Sequence, residues 1–99
     1  MYYCYILYSP SKGLFYKGQT SDLQLRLQRH NNQQEKATKD GAPWIMLWAT
    51  AKKSRSDATI LERKLKNLSR ERLCQLMLKY NGDIRGPDEL LLIQQLSGC

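Results

Sequence analysis

The chain of 99 residues has a single histidine, His30, which excludes any metal site that needs two imidazoles. Its three cysteines, Cys4, Cys74 and Cys99, stand far apart with no C-x-x-C pair, so a structural zinc is not expected. The odd count leaves at least one thiol without an intramolecular partner, and a reduced, cytoplasmic setting is the expectation. No apolar run approaches the roughly 18 residues of a membrane span. The tyrosine-rich opening carries neither a basic stretch nor a small-residue cleavage site, so no membrane partner is expected. Any metal would have to be held by oxygen ligands. Acidic side chains are also scarce, nine against sixteen Lys plus Arg, for a formal charge of +7. That balance makes nucleic acid the first partner to test, with a generic basic protein as the plain alternative.

What is present fits one domain over residues 1–99, with a core over about 2–80 and a C-terminal helical extension over 87–97. Residues 2–8 are aromatic, aliphatic or Cys and predict a buried strand; 9–13, with Pro10 and Gly13, predict a turn, and 14–19 a returning strand, hence a β-hairpin. Thr20-Ser21-Asp22 starts a helix that runs to about Asn31. Residues 32–43 are polar and aperiodic, and predict a loop. The apolar run 44–50 predicts a central strand covered on both faces. Two helices follow, one bearing Ala58, Leu61, Leu65 and Leu68, the next bearing Leu73, Leu76, Met77 and Tyr80 behind a cap at Ser69. A last helix opens at Pro87-Asp88-Glu89. The expected class is α+β, a three-stranded antiparallel sheet flanked by helices in the order ββαβααα.

Strand alternation puts Tyr3 and Tyr5 on one face of the first strand and Cys4 and Ile6 on the other, and separates Tyr16 and Gly18 from Lys17 and Gln19. Gly18 leaves bare backbone beside Tyr16, where a phosphate or another backbone could approach. By spacing alone these tyrosines are better explained as packing. Arg26 and His30, four apart, share a helix face; Arg can clamp a phosphate and His can move a proton near neutral pH. Glu62 flanks its helix's apolar stripe and could look into a sheet-side cleft. It also forms an ordinary surface pair with Lys66, worth a few tenths of a kcal/mol. Basic residues gather at Lys52, Lys53 and Arg55, and again at Arg63, Lys64, Lys66, Arg70 and Arg72, which suits contact with a nucleic-acid backbone or, equally, a solvated helix face.

Tyr3-Cys4-Tyr5 and Tyr16-Lys17-Gly18, with Tyr5 and Tyr16 eleven residues apart, resemble the two signatures of the GIY-YIG nucleases. The likeness continues through Gln19-Thr20-Ser21-Asp22-Leu23, Arg26, Arg29-His30-Asn31, Ala42-Pro43-Trp44 and the 58–66 segment with Glu62. Within the family the chain looks most like the small stand-alone bacterial proteins. The triplets differ from the family's at Tyr3, Cys4 and Lys17, and an Asn that often follows the Glu has only Asn81 as a counterpart. The resemblance implies a metal-dependent endonuclease with catalytic Tyr5, Tyr16, Arg26, His30 and Glu62, and one Mg²⁺ or Mn²⁺ on Glu62. It implies DNA rather than RNA as substrate, with Lys17, Arg29, Lys52, Lys53, Arg55, Arg63, Lys64 and Lys66 as backbone contacts and Gly18 as a structural residue beside the site. A nucleic-acid-binding module without catalysis is the competing expectation. An unperturbed phenol is only about 0.1% ionised at pH 7, so a tyrosine base would give a rate that climbs towards pH 9.

Overall fold

The computed structural model describes residues 1–97; Cys99, counted above among the thiols, lies outside the described residues. Strands β1 (Tyr2–Ser9), β2 (Leu14–Thr20) and β3 (Ile45–Lys52) form one antiparallel sheet in the order β2-β1-β3. Helix α1 (Leu23–Asn31) lies between β2 and β3, and α2 (Arg55–Lys66), α3 (Arg70–Lys79) and α4 (Pro87–Ser97) follow. This is the expected α+β class and the expected order. Among the described residues no helix is long and apolar enough to cross a membrane. The hairpin turn closes with the Gly13 amide donating to the Ser9 carbonyl at 2.7 Å, and Gly13 takes φ 65°, a region that L side chains avoid.

The central strand is β1, and β3 is an edge, which corrects the expectation that residues 44–50 form the middle of the sheet. The apolar run has a different cause. Between Ile6 and Leu7 the β1–β3 register slips, so Ile6 faces Trp48 while Leu7 faces Met46. The bulge turns two consecutive side chains, Leu47 and Trp48, into one core, while Met46 and Ala49 enter the other. The outer edge is also covered, because Ile84 bridges to Trp48 and the Arg85 amide donates to the Leu47 carbonyl at 3.0 Å.

The sheet divides two cores. Tyr5, Leu7, Trp44, Met46 and Ala49 pack beneath α1. Cys4, Ile6, Tyr8, Leu47 and Trp48 pack against Ala58 and Leu65 of α2, Leu73 and Met77 of α3, and Ile93 of α4. Side-chain caps start three helices: Asp22 accepts from the Leu25 amide, Ser54 from Asp57 and Ser69 from Arg72. Ile93 is fully buried in the second core, so Ile93→Ala should cost about 2–5 kcal/mol in urea unfolding, the range for an apolar side chain deleted from a packed interior. A loss under about 0.5 kcal/mol would mean that α4 rides on the domain without supporting it.

Candidate active site

On the α1 side of the sheet a buried chain of polar groups runs inward from β1. Tyr5 has no exposed surface, and its hydroxyl lies 2.9 Å from His30 Nε2. His30, also fully buried, places Nδ1 2.6 Å from Thr38 Oγ1. The Thr38 hydroxyl donates to the Glu35 carbonyl at 3.5 Å, so it accepts from Nδ1–H and leaves Nε2 to accept the Tyr5 proton. Burial pushes the His30 pKa below its ordinary 6.5, against the opposing pull of Glu35, so the imidazole is neutral at pH 7. Burial, reinforced by neighbouring Tyr16, raises the Tyr5 phenol well above its ordinary value, and the nearby Arg26 guanidinium opposes that shift only in part.

Gly18 stands directly across from Tyr5 in the β1–β2 register. A Cβ on Gly18 would fall 2.6 Å from the Tyr5 hydroxyl oxygen. The bare backbone, expected to admit a phosphate or another backbone, therefore accommodates the phenol of Tyr5. Tyr16 lies over this buried chain, its ring centroid 5.1 Å from that of His30 and 6.4 Å from those of Tyr5 and Trp44. Half-buried, Tyr16 keeps part of its surface in solvent. Arg26 reaches Glu35 at 3.9 Å and, with Gln19, Thr20, Ser21, Tyr2 and Arg55, lines a cavity of about 270 Å³ at the end of β1 and β2.

Glu62 lies on α2, which covers the other face of the sheet. Its Oε1 accepts from Gln19 Nε2 at 2.8 Å, and the same nitrogen reaches Thr59 Oγ1 at 3.0 Å. Its Oε2 pairs with Lys66 at 3.1 Å, and 17% of the Glu62 side chain remains exposed. The surface pair with Lys66 anticipated from helical spacing thus exists, together with a second tie to the sheet. Among the described residues no hydrogen bond or ion pair joins Glu62 to Tyr5, Tyr16, Arg26 or His30. The link is strand β2, which carries Tyr16 and Gly18 on one face and Lys17 and Gln19 on the other. Lys17 sits close enough to Lys66 for repulsion, added to burial, to lower its pKa. Cys4 occupies the altered middle of the first signature and faces α2, its thiol donating to the Ala58 carbonyl at 3.1 Å. Burial and then the Glu62 carboxylate raise its pKa.

The other basic residues scatter. Arg55 lies 5.3 Å from the Tyr2 ring centroid at the cavity, and Lys52 and Lys64 line a separate groove on the far side of α2. Arg29, Lys53 and Arg63 are exposed. Arg70 packs 5.4 Å from the Phe15 ring centroid and donates to the Gly13 carbonyl, a tie between α3 and the hairpin. Asn81 opens an exposed one-turn helix over Asn81–Asp83, and among the described residues no hydrogen bond joins its side chain to the candidate site.

Residues 32–43, read above as a loop, help to hold the chain together. Asn31 clamps both the amide and the carbonyl of Trp44, the Trp44 indole donates to the Thr38 carbonyl at 2.7 Å, and Ser9 Oγ donates to the Gly41 carbonyl at 2.7 Å. Thr38 and Gln19 escaped the sequence reading. A threonine in a polar loop carries no periodicity, and only the Gln19-Thr20 part of the family resemblance hinted at the second.

The arrangement joins a partly exposed phenol, a guanidinium, a neutral imidazole and one oriented carboxylate around an edge strand. A family model described as the GIY-YIG catalytic domain matches residues 1–77. Neither the curated proteins nor the solved structures contain a match to the chain.

Two outcomes follow from the buried chain. Gly18→Ala drives a methyl into Tyr5 and should cost about 1–3 kcal/mol, measured by denaturant unfolding. Because the His30 pKa is lowered on folding, the unfolded chain takes up a proton first as pH falls below 6.5. Stability is unaffected by this residue above that pH and drops below it. The melting temperature should fall as the pH drops below about 6.5, and His30→Gln should flatten that slope. An unchanged slope would place the acid sensitivity elsewhere.

Proposed function

Since the chain belongs to the GIY-YIG catalytic-domain family, a family of nucleases, we propose that it is a metal-dependent endonuclease hydrolysing phosphodiester bonds, with DNA as its substrate. The observation that carries this reading is edge strand β2, which presents Tyr16 over His30 on one face and on the other fixes Glu62 through Gln19, a wall of the cavity that holds Arg26.

The donor set fits a hard cation. Among the described residues no three His, Cys, Asp or Glu side chains gather as a cage, but Mg²⁺ commonly takes one or two carboxylates and fills its shell with water and phosphate oxygens. Glu62 would hold one Mg²⁺ or Mn²⁺, whose chemistry is to polarise the scissile phosphate and stabilise the leaving oxygen. Arg26 carries the charge that builds on the non-bridging oxygens. Tyr16, the partly exposed tyrosine, orients the attacking water and in its ionised, phenolate form takes the water's proton, ending as the neutral phenol. Tyr5 is sealed from solvent and stays a phenol, so it acts with His30 as the support beneath Tyr16. Lys17, Lys66 and Arg55 flank these groups and pair with backbone phosphates.

A binding module without catalysis is the second reading, favoured by one observation: both oxygens of Glu62 already have protein partners. Incubating plasmid and oligonucleotide DNA with the protein and Mg²⁺ or Mn²⁺ separates the two. Cleavage with 5′-phosphate and 3′-hydroxyl ends is expected, at a rate that climbs from pH 7 to 9 because only an ionised tyrosine can take a proton. Glu62→Ala should abolish it. Tyr16→Phe should cost about 10²–10⁴-fold, the range for a lost general base, and Tyr5→Phe less. Binding without cleavage would establish the second reading, and equal activity of Tyr16→Phe and wild type would remove the tyrosine from the chemistry.

A further inference from the structure

Several cations have no place in the site just described. Lys52, Lys64, Arg72 and Lys79 come together around two adjoining cavities, of about 260 and 270 Å³, between the end of β3, α2 and α3. The cavities share Lys64, Leu76 and Tyr80, so they form one groove. Its floor is apolar, built from Trp48, Leu61, Leu68 and Leu76, and among the described residues its only carboxylate is Asp83.

Tyr80 is unusual here, a large aromatic with 52% of its surface in solvent. Its backbone is nonetheless anchored. The Tyr80 carbonyl accepts from the Trp48 indole at 3.1 Å, and its amide caps α3 by donating to the Leu76 carbonyl at 3.0 Å. The Lys79 ammonium lies 5.5 Å from the ring centroid. An exposed aromatic side chain on an anchored backbone, beside an apolar floor and a rim of cations, is what an unpaired nucleotide strand requires: a face on which a base can stack, and charges for its phosphates. The bases of a duplex are already stacked on one another and cannot use that face.

One cross-strand pair separates the groove from the candidate active site. Lys52 pairs with Tyr2 across the β1–β3 register, and Tyr2 lines the cavity that holds Arg26 and Arg55. A strand with one phosphate at that cavity can therefore continue past Tyr2 and Lys52 into the groove.

We propose that this groove binds a single-stranded segment flanking the bond to be cut, with a base stacked on Tyr80 and phosphates paired by Lys52, Lys64 and Arg72. The proposal rests on the nuclease reading for the word "cut" alone. It makes the preferred substrate a nucleic acid with an unpaired tail or flap beside a duplex.

Fluorescence anisotropy without divalent ions tests it, comparing a short blunt duplex with the same duplex carrying a tail of about eight unpaired thymidines, within the span that single-strand sites cover. The tail should tighten binding about tenfold, the worth of one good stacked base. Tyr80→Ala and Arg72→Gln should each remove most of that gain, and Tyr80→Trp should keep it. Tyr80→Ala leaves the carbonyl that holds Trp48, and a melting curve checks the fold. A tail that adds nothing, or a gain that survives both Tyr80→Ala and Arg72→Gln, would overturn the proposal. So would displacement of the tail by poly-glutamate at matched charge, which would assign the groove to an acidic protein. Because the assay reads binding alone, an absence of cleavage elsewhere leaves its result intact.

Discussion

The hydroxyl of Tyr5 lies where no water reaches it, and its hydrogen bond must be made inside the protein. Left unpaired it would cost about 1–3 kcal/mol, a large fraction of the roughly 5–15 kcal/mol that stabilises a small domain. His30 supplies the partner, but only as a neutral imidazole with its other nitrogen satisfied, and Thr38 satisfies it. Thr38 is in turn held by the Trp44 indole on its carbonyl, and Trp44 by Asn31. One buried phenol thus dictates a glycine opposite it, a histidine at the end of α1 and the course of the segment from 32 to 44.

That chain of partners explains why the α1 side of a small sheet can be rigid while its helix is short and only weakly apolar. Leu23 and Leu27 are half-buried, and Leu25 is 45% exposed, so hydrophobic burial alone would hold α1 loosely. The polar links at its C-terminal end do the rest. The opposite face is built in another way, by three helices closing over Cys4, Ile6, Leu47 and Trp48. Strand β2 belongs to both halves. Its alternating side chains reach Tyr5 and His30 on one side and Glu62 on the other, so the two halves cannot shift independently without breaking the Gln19 contact.

Much of this was legible in the residues. The ββαβααα order follows from the strand alternation, the Ser and Asp caps and the apolar stripes, and the likeness in Tyr5, Tyr16, Arg26, His30 and Glu62 pointed to the family that residues 1–77 match. Three features were not legible, each for a physical reason. Apolar content reports burial and not position in a sheet, so β3, covered along its edge by residues 84 and 85, reads as a central strand. A residue without a side chain shows that something approaches closely but not what, so Gly18 could not reveal that the visitor is Tyr5. A loop tied by single hydrogen bonds, as at Thr38 and Ser9, has no period for a pattern to detect.

The charges complete the logic of the fold. Glu62 has Lys66 on one oxygen, Lys17 lies close enough to Lys66 to feel its charge, and Arg26 and Arg55 share the adjoining cavity. Cations outnumber carboxylates there, so the field favours a phosphate over a free divalent ion. A single carboxylate in such a field is a weak trap for a metal by itself. On the proposed reading, a phosphate diester adds the negative charge that this neighbourhood lacks, and each ligand strengthens the hold on the other, since coupling between two binding events is reciprocal. A basic protein with few acidic side chains can in this way assemble a metal-dependent site only where a nucleic-acid backbone is already bound.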